Sequence, residues 1–215
     1  MPLDLSWSCD SHAQLCRWHI TESRDLLAQM YNQSWGDFVD VQTMQTGSKH
    51  KLAARNLIAE KFPNHQLEFS VHGKPLLFPA TANINHSHAG DYAVFIHHPS
   101  MWVGIDIEQQ RPQLSRIFPR FCNEYELQWL GKNPTPEQLL LIWCAKEALY
   151  KAIGQKGTDF RTHLQIDPMT DSEPRGHLRA QISLPNFEQT IQLPFLRWDD
   201  YACVWAVLPI PSPEN

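Results

Sequence analysis

The stretch TPEQLLLIWCAKEALYKAIG, residues 135–154, carries the marks of both ends of one helix. Thr135 is suited to cap the N-terminus, Pro136 to occupy the first helical position, and Gln138 to close a capping box back onto Thr135. Gly154 stands where a left-handed C-terminal glycine belongs. Leu141, Ala145, Ala148 and Ala152 fall on one stripe and predict a core-facing side. Leu139 to Trp143 is apolar all round, so the first half of the helix should be buried on most sides. Glu147 and Lys151 lie one turn apart. They read either as an ion pair on a solvated edge or as working groups, and the helix alone does not choose.

The rest of the chain bounds the choice. Its 215 residues, 42% hydrophobic and 19% charged, can bury a sizeable core in one large domain or two small lobes. A formal net charge of -5 without a strongly basic run argues against a general nucleic-acid binder. An anionic small ligand would have to be held by local lysines. Five cysteines with no Cys-x-x-Cys pair read as buried reduced thiols. Met1-Pro2-Leu3-Asp4 lacks a secretory start, and no apolar run approaches the ~20 residues of a membrane span. The expectation is a soluble, cytoplasmic protein.

Residues 22–31 predict a helix within a Trp-rich opening. A clearer helix, capped by Ser48, runs over 49–62 to Pro63-Asn64. Lys49 and Lys51 lie in its first turn, where cations are unfavourable on dipole grounds, which hints at an anionic partner. Strands are predicted over 67–71, 82–86, 92–96 and 101–107. Turns are predicted at His72-Gly73-Lys74-Pro75 and through Ser87-His88-Ala89-Gly90-Asp91. After the main helix come a weak strand at 164–166, a polar loop over 168–175, and a strand ending at Leu184. Two more follow, one around 191–195 and one over 201–208, with a loose tail behind. Helix followed by strands thus occurs twice. The expected fold is α+β, as two similar lobes divided at 105/106 (residues 1–105 and 106–215), with the ligand in the crevice between them.

Val103-Gly104-Ile105-Asp106-Ile107-Glu108 puts two carboxylates on one face of an apolar strand, which its β-branched residues mark as central. Carboxylates side by side repel, and a hard divalent cation such as Mg²⁺ or Mn²⁺ removes that cost. A strand end reaching water is the plainer alternative. His86, His97 and His98 alternate faces and find no matching Cys or His set, so zinc is set aside. The apolar residues Ile117, Phe118, Phe121, Leu127, Trp129 and Leu130 suit either a docking surface or core filling.

Four segments stand in order: Gly73-Lys74-Pro75, Ile84-Asn85-His86-Ser87-His88, Gly104-Ile105-Asp106-Ile107-Glu108, and Trp143-Cys144-Ala145-Lys146-Glu147-Ala148-Leu149-Tyr150-Lys151. Together they resemble the 4′-phosphopantetheinyl transferases of the surfactin-synthetase-activating (Sfp) type. The resemblance implies two α+β lobes related by a pseudo-twofold, monomeric, in one chain. It also implies transfer of phosphopantetheine from coenzyme A to a serine of an apo acyl or peptidyl carrier protein, with release of 3′,5′-ADP. Nucleic acid and membrane have no part in it. Which carrier is served does not follow.

On the same resemblance Asp106, Glu108 and Glu147 would ligate Mg²⁺ (or Mn²⁺). Lys151 would donate to the leaving phosphate, with Lys146 a weaker candidate for a phosphate contact. Glu147 would be the base for the carrier serine. Ser87 and His88, with Lys49 or Lys51, would hold the 3′-phosphate, and Gly73-Lys74-Pro75 would lie along the adenine. Ile84 stands where the family has an aromatic, and Cys144 where it has Ser or Thr. His86 allows a second register on Asn83, His86 and Ser87, but the ungapped match of Gly90-Asp91-Tyr92 and Asp106 favours Ser87-His88. Two other classes stay open: another Mg²⁺-dependent phosphoryl-transfer or hydrolytic enzyme acting on coenzyme A or nucleotides, and a non-catalytic coenzyme A or carrier-binding module.

Overall fold

A computed structural model describes residues 3–8, 12–35, 41–71, 73–169 and 173–210. His72, the middle of the expected 168–175 loop, Cys9 and the end of the tail lie outside the described residues. The chain separates into two compact units, Met1–Met101 and Trp102–Asn215. The division falls just before 105/106, so that the strand carrying Asp106 stays whole.

The first unit holds a four-stranded antiparallel sheet in the order β1 (Leu3–Ser8), β2 (Gln14–His19), β6 (Tyr92–His98), β5 (Asn83–Ala89). Helix α1 (Arg24–Trp35), the short α2 (Val41–Thr46) and α3 (Lys49–Lys61) fill the connection from β2. Strands β3 (Gln66–Phe69) and β4 (Pro75–Phe78) form a separate hairpin. The Ser48 side chain caps α3 by accepting from Lys51 N, as expected. Nearly every residue of α3 between its ends is buried, packed on β5, β6 and α1. The buried Asn56 ties two helices together, donating from Nδ2 to the carbonyls of Leu27 (2.9 Å) and Leu52 (3.0 Å). The core unites Trp18, Leu27, Tyr31, Leu52, Ile58 and Phe95.

The second unit runs β7 (Trp102–Gln109), α4 (Leu114–Phe121), α5 (Glu124–Leu130), α6 (Pro136–Ile153), β8 (Leu164–Ile166), β9 (Arg175–Leu184), β10 (Phe187–Trp198) and β11 (Tyr201–Leu208). Its antiparallel sheet has the order β7-β11-β10-β9-β8. Strand β7 is therefore at an edge, not central. Its β-branched residues report burial, and Val103, Ile105 and Ile107 are fully buried in that edge position. Helix α6 packs on β7 and β11 with the caps expected of it. Thr135 and Gln138 close the capping box, and Gly154 is left-handed at φ 64°.

Candidate active site

Strand alternation carries Gly104, Asp106 and Glu108 to one face of β7. Gly104 explains how α6 comes so close to it. A methyl group at Gly104 would overlap the backbone oxygen of Ala148 and the backbone nitrogen and Cβ of Ala152. The absence of a side chain lets the helix backbone settle against the strand at that level, beside Asp106.

There Lys151 crosses from α6 to β7. Its Nζ stands 2.7 Å from Asp106 Oδ1 and 3.3 Å from the Ile105 carbonyl. Asp106 is almost wholly buried, its side chain 5% exposed. The surface pair weighed for Glu147 and Lys151 thus gives way to a pairing between elements, with Glu147 adding to the field around the ammonium. Burial pulls the Lys151 pKa down, but Asp106, by charge and hydrogen bond, and then Glu147 raise it above its ordinary value. Lys151 remains a cation.

The carboxylates show the opposite strain. Burial, then Asp106 and Glu108, lift the Glu147 carboxyl to about 7, with Lys151 pulling the other way. Glu108 is raised by burial and then by Asp106, against Arg111, an indole hydrogen bond from Trp143, and Lys151. The Arg111 guanidinium lies 3.1 Å from Glu108. Acids that disturb one another in this way share one neighbourhood, and their oxygen donors suit a hard divalent cation. Among the described residues, no three His, Cys, Asp or Glu side chains stand already arranged around one ion. The fit is therefore one of donor chemistry and charge.

Lys146, the weaker phosphate candidate, is fully buried. Its Nζ donates to Glu126 Oε2 at 2.6 Å and to the carbonyls of Phe121 and Phe160, each at 2.8 Å. Its three N–H groups are spent inside the fold, so a phosphate contact is ruled out for it in this arrangement.

In the first unit, Ser87 and His88 lie within β5 and not in a turn. Alternation turns them apart: Ser87 is buried and His88 exposed. The His88 ring stacks on His50 with centroids 5.2 Å apart. His50 Nε2 contacts the Gly90 carbonyl. His88 is thereby brought to the first turn of α3, which carries Lys49 and Lys51. Gly73 adopts φ 79° in the β3–β4 turn, where its N–H bonds the Ser70 carbonyl at 2.9 Å. Turn geometry is reason enough for that glycine. Lys74 beside it is half-buried, and burial lowers its pKa. Pro75 is buried at the start of β4.

The apolar residues left open between docking and core divide. Phe121 and Leu130 belong to the core, while Ile117, Phe118, Leu127 and Trp129 pack against it half-exposed. Reasoning from the sequence did not find His50, the role of Trp143, or Glu126 as the partner of Lys146. Gly104, inside a buried strand, did carry a readable sign of close backbone approach.

Residues 102–206 match the family described as the 4′-phosphopantetheinyl transferase superfamily. The chain is also similar to proteins named L-aminoadipate-semialdehyde dehydrogenase-phosphopantetheinyl transferase. It is 32% identical to that of Pongo abelii and 33% identical to that of Homo sapiens, each over 140 residues, 55% of this chain and 45% of the relative. With that of Xenopus laevis it is 29% identical over 182 residues, 74% of this chain and 60% of the relative. The chain thus spans about half the length of the first two. The matched segment opens with β7 and ends within β11, so it contains Asp106, Glu108, Glu147 and Lys151. Through residues 102–206, just under half of its length, the chain is similar to the 4′-phosphopantetheinyl transferase superfamily.

Proposed function

We propose that this chain transfers 4′-phosphopantetheine from coenzyme A to a serine of an apo carrier protein, releasing 3′,5′-ADP. The observation that carries the reading is the cluster of Asp106, Glu108, Glu147 and Lys151 on the facing surfaces of β7 and α6, inside the segment that marks the family. Asp106, Glu108 and Glu147 would hold Mg²⁺ or Mn²⁺. Such an ion, when bound, neutralises charge on the pyrophosphate of coenzyme A.

The protein's own groups do the rest. Lys151, kept protonated by Asp106, hydrogen-bonds the phosphate that departs with 3′,5′-ADP. Glu147 accepts the proton of the carrier serine. That carboxyl, near 7 without a divalent ion, would be kept ionised by a bound one, and general-base help of this kind is worth ~10²–10⁴ in rate. His88 is the member of the Ser87–His88 pair that faces the first turn of α3. With Lys49 or Lys51 it would hold the 3′-phosphate, and the Gly73-Lys74-Pro75 turn would lie along the adenine.

Release of 3′,5′-ADP, followed with and without an apo carrier, tests the reading. Release that requires the carrier and stops when it is fully modified supports transfer. Steady release without carrier would instead identify a hydrolase using the same acids.

A further inference from the structure

Histidine is a poor choice for the first turn of a helix: it supplies no cap, and any positive charge it takes up opposes the helix dipole. His50 stands second in α3, between Lys49 and Lys51. The cap of that turn is already provided by Ser48, which accepts from Lys51 N. The His50 ring is half-buried and turned toward another element of the fold.

It makes two contacts at the end of β5. Its Nε2 meets the Gly90 carbonyl. A carbonyl only accepts, so Nε2 carries the proton and donates. The ring also stacks on that of His88, with centroids 5.2 Å apart and planes inclined by 23°. Gly90 is left-handed at φ 50° in the tight turn from β5 to β6, which the Ala89–Tyr92 pair closes. Those strands pair in unbroken register from Asn83–His98 to that turn, so Gly90 is a fixed point. A hydrogen bond to it fixes the plane of the His50 ring. An exposed imidazole such as His88 has several rotamers open to it, and an anchored ring face beside it selects among them.

We propose that His50 is a positioning residue for the 3′-phosphate of coenzyme A. Anchored to Gly90, its ring holds His88 against the first turn of α3, so that His88 and Lys49 or Lys51 serve one phosphate group. The inference rests on the 3′-phosphate reading of His88 given above. His50 acts through His88.

Binding of coenzyme A and of 3′-dephospho-coenzyme A, each titrated calorimetrically with Mg²⁺ present, reads the discrimination directly and needs no carrier protein. His50→Gln keeps an N–H for Gly90 and removes the ring. His50→Phe keeps a ring and removes the N–H. His88→Ala removes the group being positioned. Urea unfolding checks that each variant is folded, and either His50 variant alone suffices for the test.

Each His50 variant should bind coenzyme A about tenfold more weakly than the parent, on the order of one charge-assisted hydrogen bond. Affinity for dephospho-coenzyme A should change by less than about twofold. In the His88→Ala background the same substitutions should have no further effect, since residues in contact that share one role do not add. Equal losses for the two ligands would show that His50 merely ties α3 to the turn, and would overturn the proposal. So would undiminished discrimination in a folded His50 variant, or losses that multiply with His88→Ala. Failure of the underlying reading looks different: a parent that binds the two ligands equally refutes the placement of the 3′-phosphate, and this inference with it.

Discussion

Lys146 and Lys151 share one helix and carry the same charge, yet their surroundings assign them different work. Lys146 has no exposed surface and spends its three donors on Glu126 and two carbonyls. Lys151 keeps a quarter of its side chain exposed and reaches a buried aspartate at the edge of a strand. Nothing local distinguishes them, because their partners lie on other elements of the fold. That is why the partner of neither lysine could be read from sequence, whereas the shared faces of Asp106 with Glu108 and of Glu147 with Lys151 could. For those four, the strand period of two and the helical spacing of four already predict shared faces. If the three acids act through one ion, they act as a unit, and losses within a unit are not additive. Asp106→Ala and Glu147→Ala should each nearly abolish turnover, and the double variant should be little worse than either. Lys151→Ala should lower kcat while leaving the dependence on Mg²⁺ concentration largely intact, as removing a cation takes no ligand from the ion. Initial rates against Mg²⁺ concentration for the four variants check this. Independent, multiplying losses would show that the acids do not share one role.

At the scale of elements, α6 was legible because its signals are local. The Thr135–Gln138 box, Pro136 and the left-handed Gly154 all sit within the chain segment they terminate. The strands over Arg175–Leu184 and Tyr201–Leu208 were legible through alternation or a continuous apolar run. Strand β2 was not: its buried residues Leu15, Cys16 and Trp18 fit neither period, and pairing to β6 decides it. Strand β5 continues through Ser87 and His88, whose polar character suggested a turn, because β6 supplies partners as far as Tyr92. The approach of α6 to β7 depends on Gly104. Gly104→Ala places a methyl against the helix backbone, which cannot yield as a flexible side chain would. The expected cost is roughly 1–3 kcal/mol, read as a lower urea midpoint, with turnover reduced as the Lys151–Asp106 contact is displaced. An unchanged midpoint would show that the helix stands farther from the strand than described here.

For the molecule as a whole, the buried His97 and the half-buried Glu147 make stability depend on pH in opposite senses. Burial, then Lys61 and His98, lower the His97 pKa from 6.5 to about 4. Between those values the unfolded chain binds a proton that the folded chain refuses. Stability from this source is full above pH 6.5 and falls as pH drops toward 4, by up to about 3 kcal/mol. Glu147 is raised from 4.5 to about 7. Its contribution is present below 4.5 and is lost as pH rises through 7. Comparing urea midpoints of the parent and His97→Gln at pH 7 and pH 5, without divalent ions, separates the two. The parent should lose more stability on acidification than the variant, and equal losses would mean that His97 is not held neutral. The central claim is that the β7–α6 cluster performs transfer to a carrier serine. Its most direct test is the intact mass of an apo carrier protein incubated with coenzyme A, Mg²⁺ and this chain. The account predicts a gain of one phosphopantetheinyl group with the parent, and none with Glu147→Ala or with a carrier whose acceptor serine is alanine. An unmodified carrier across fatty-acid, polyketide and peptide-synthetase types, or full modification by Glu147→Ala, would contradict it.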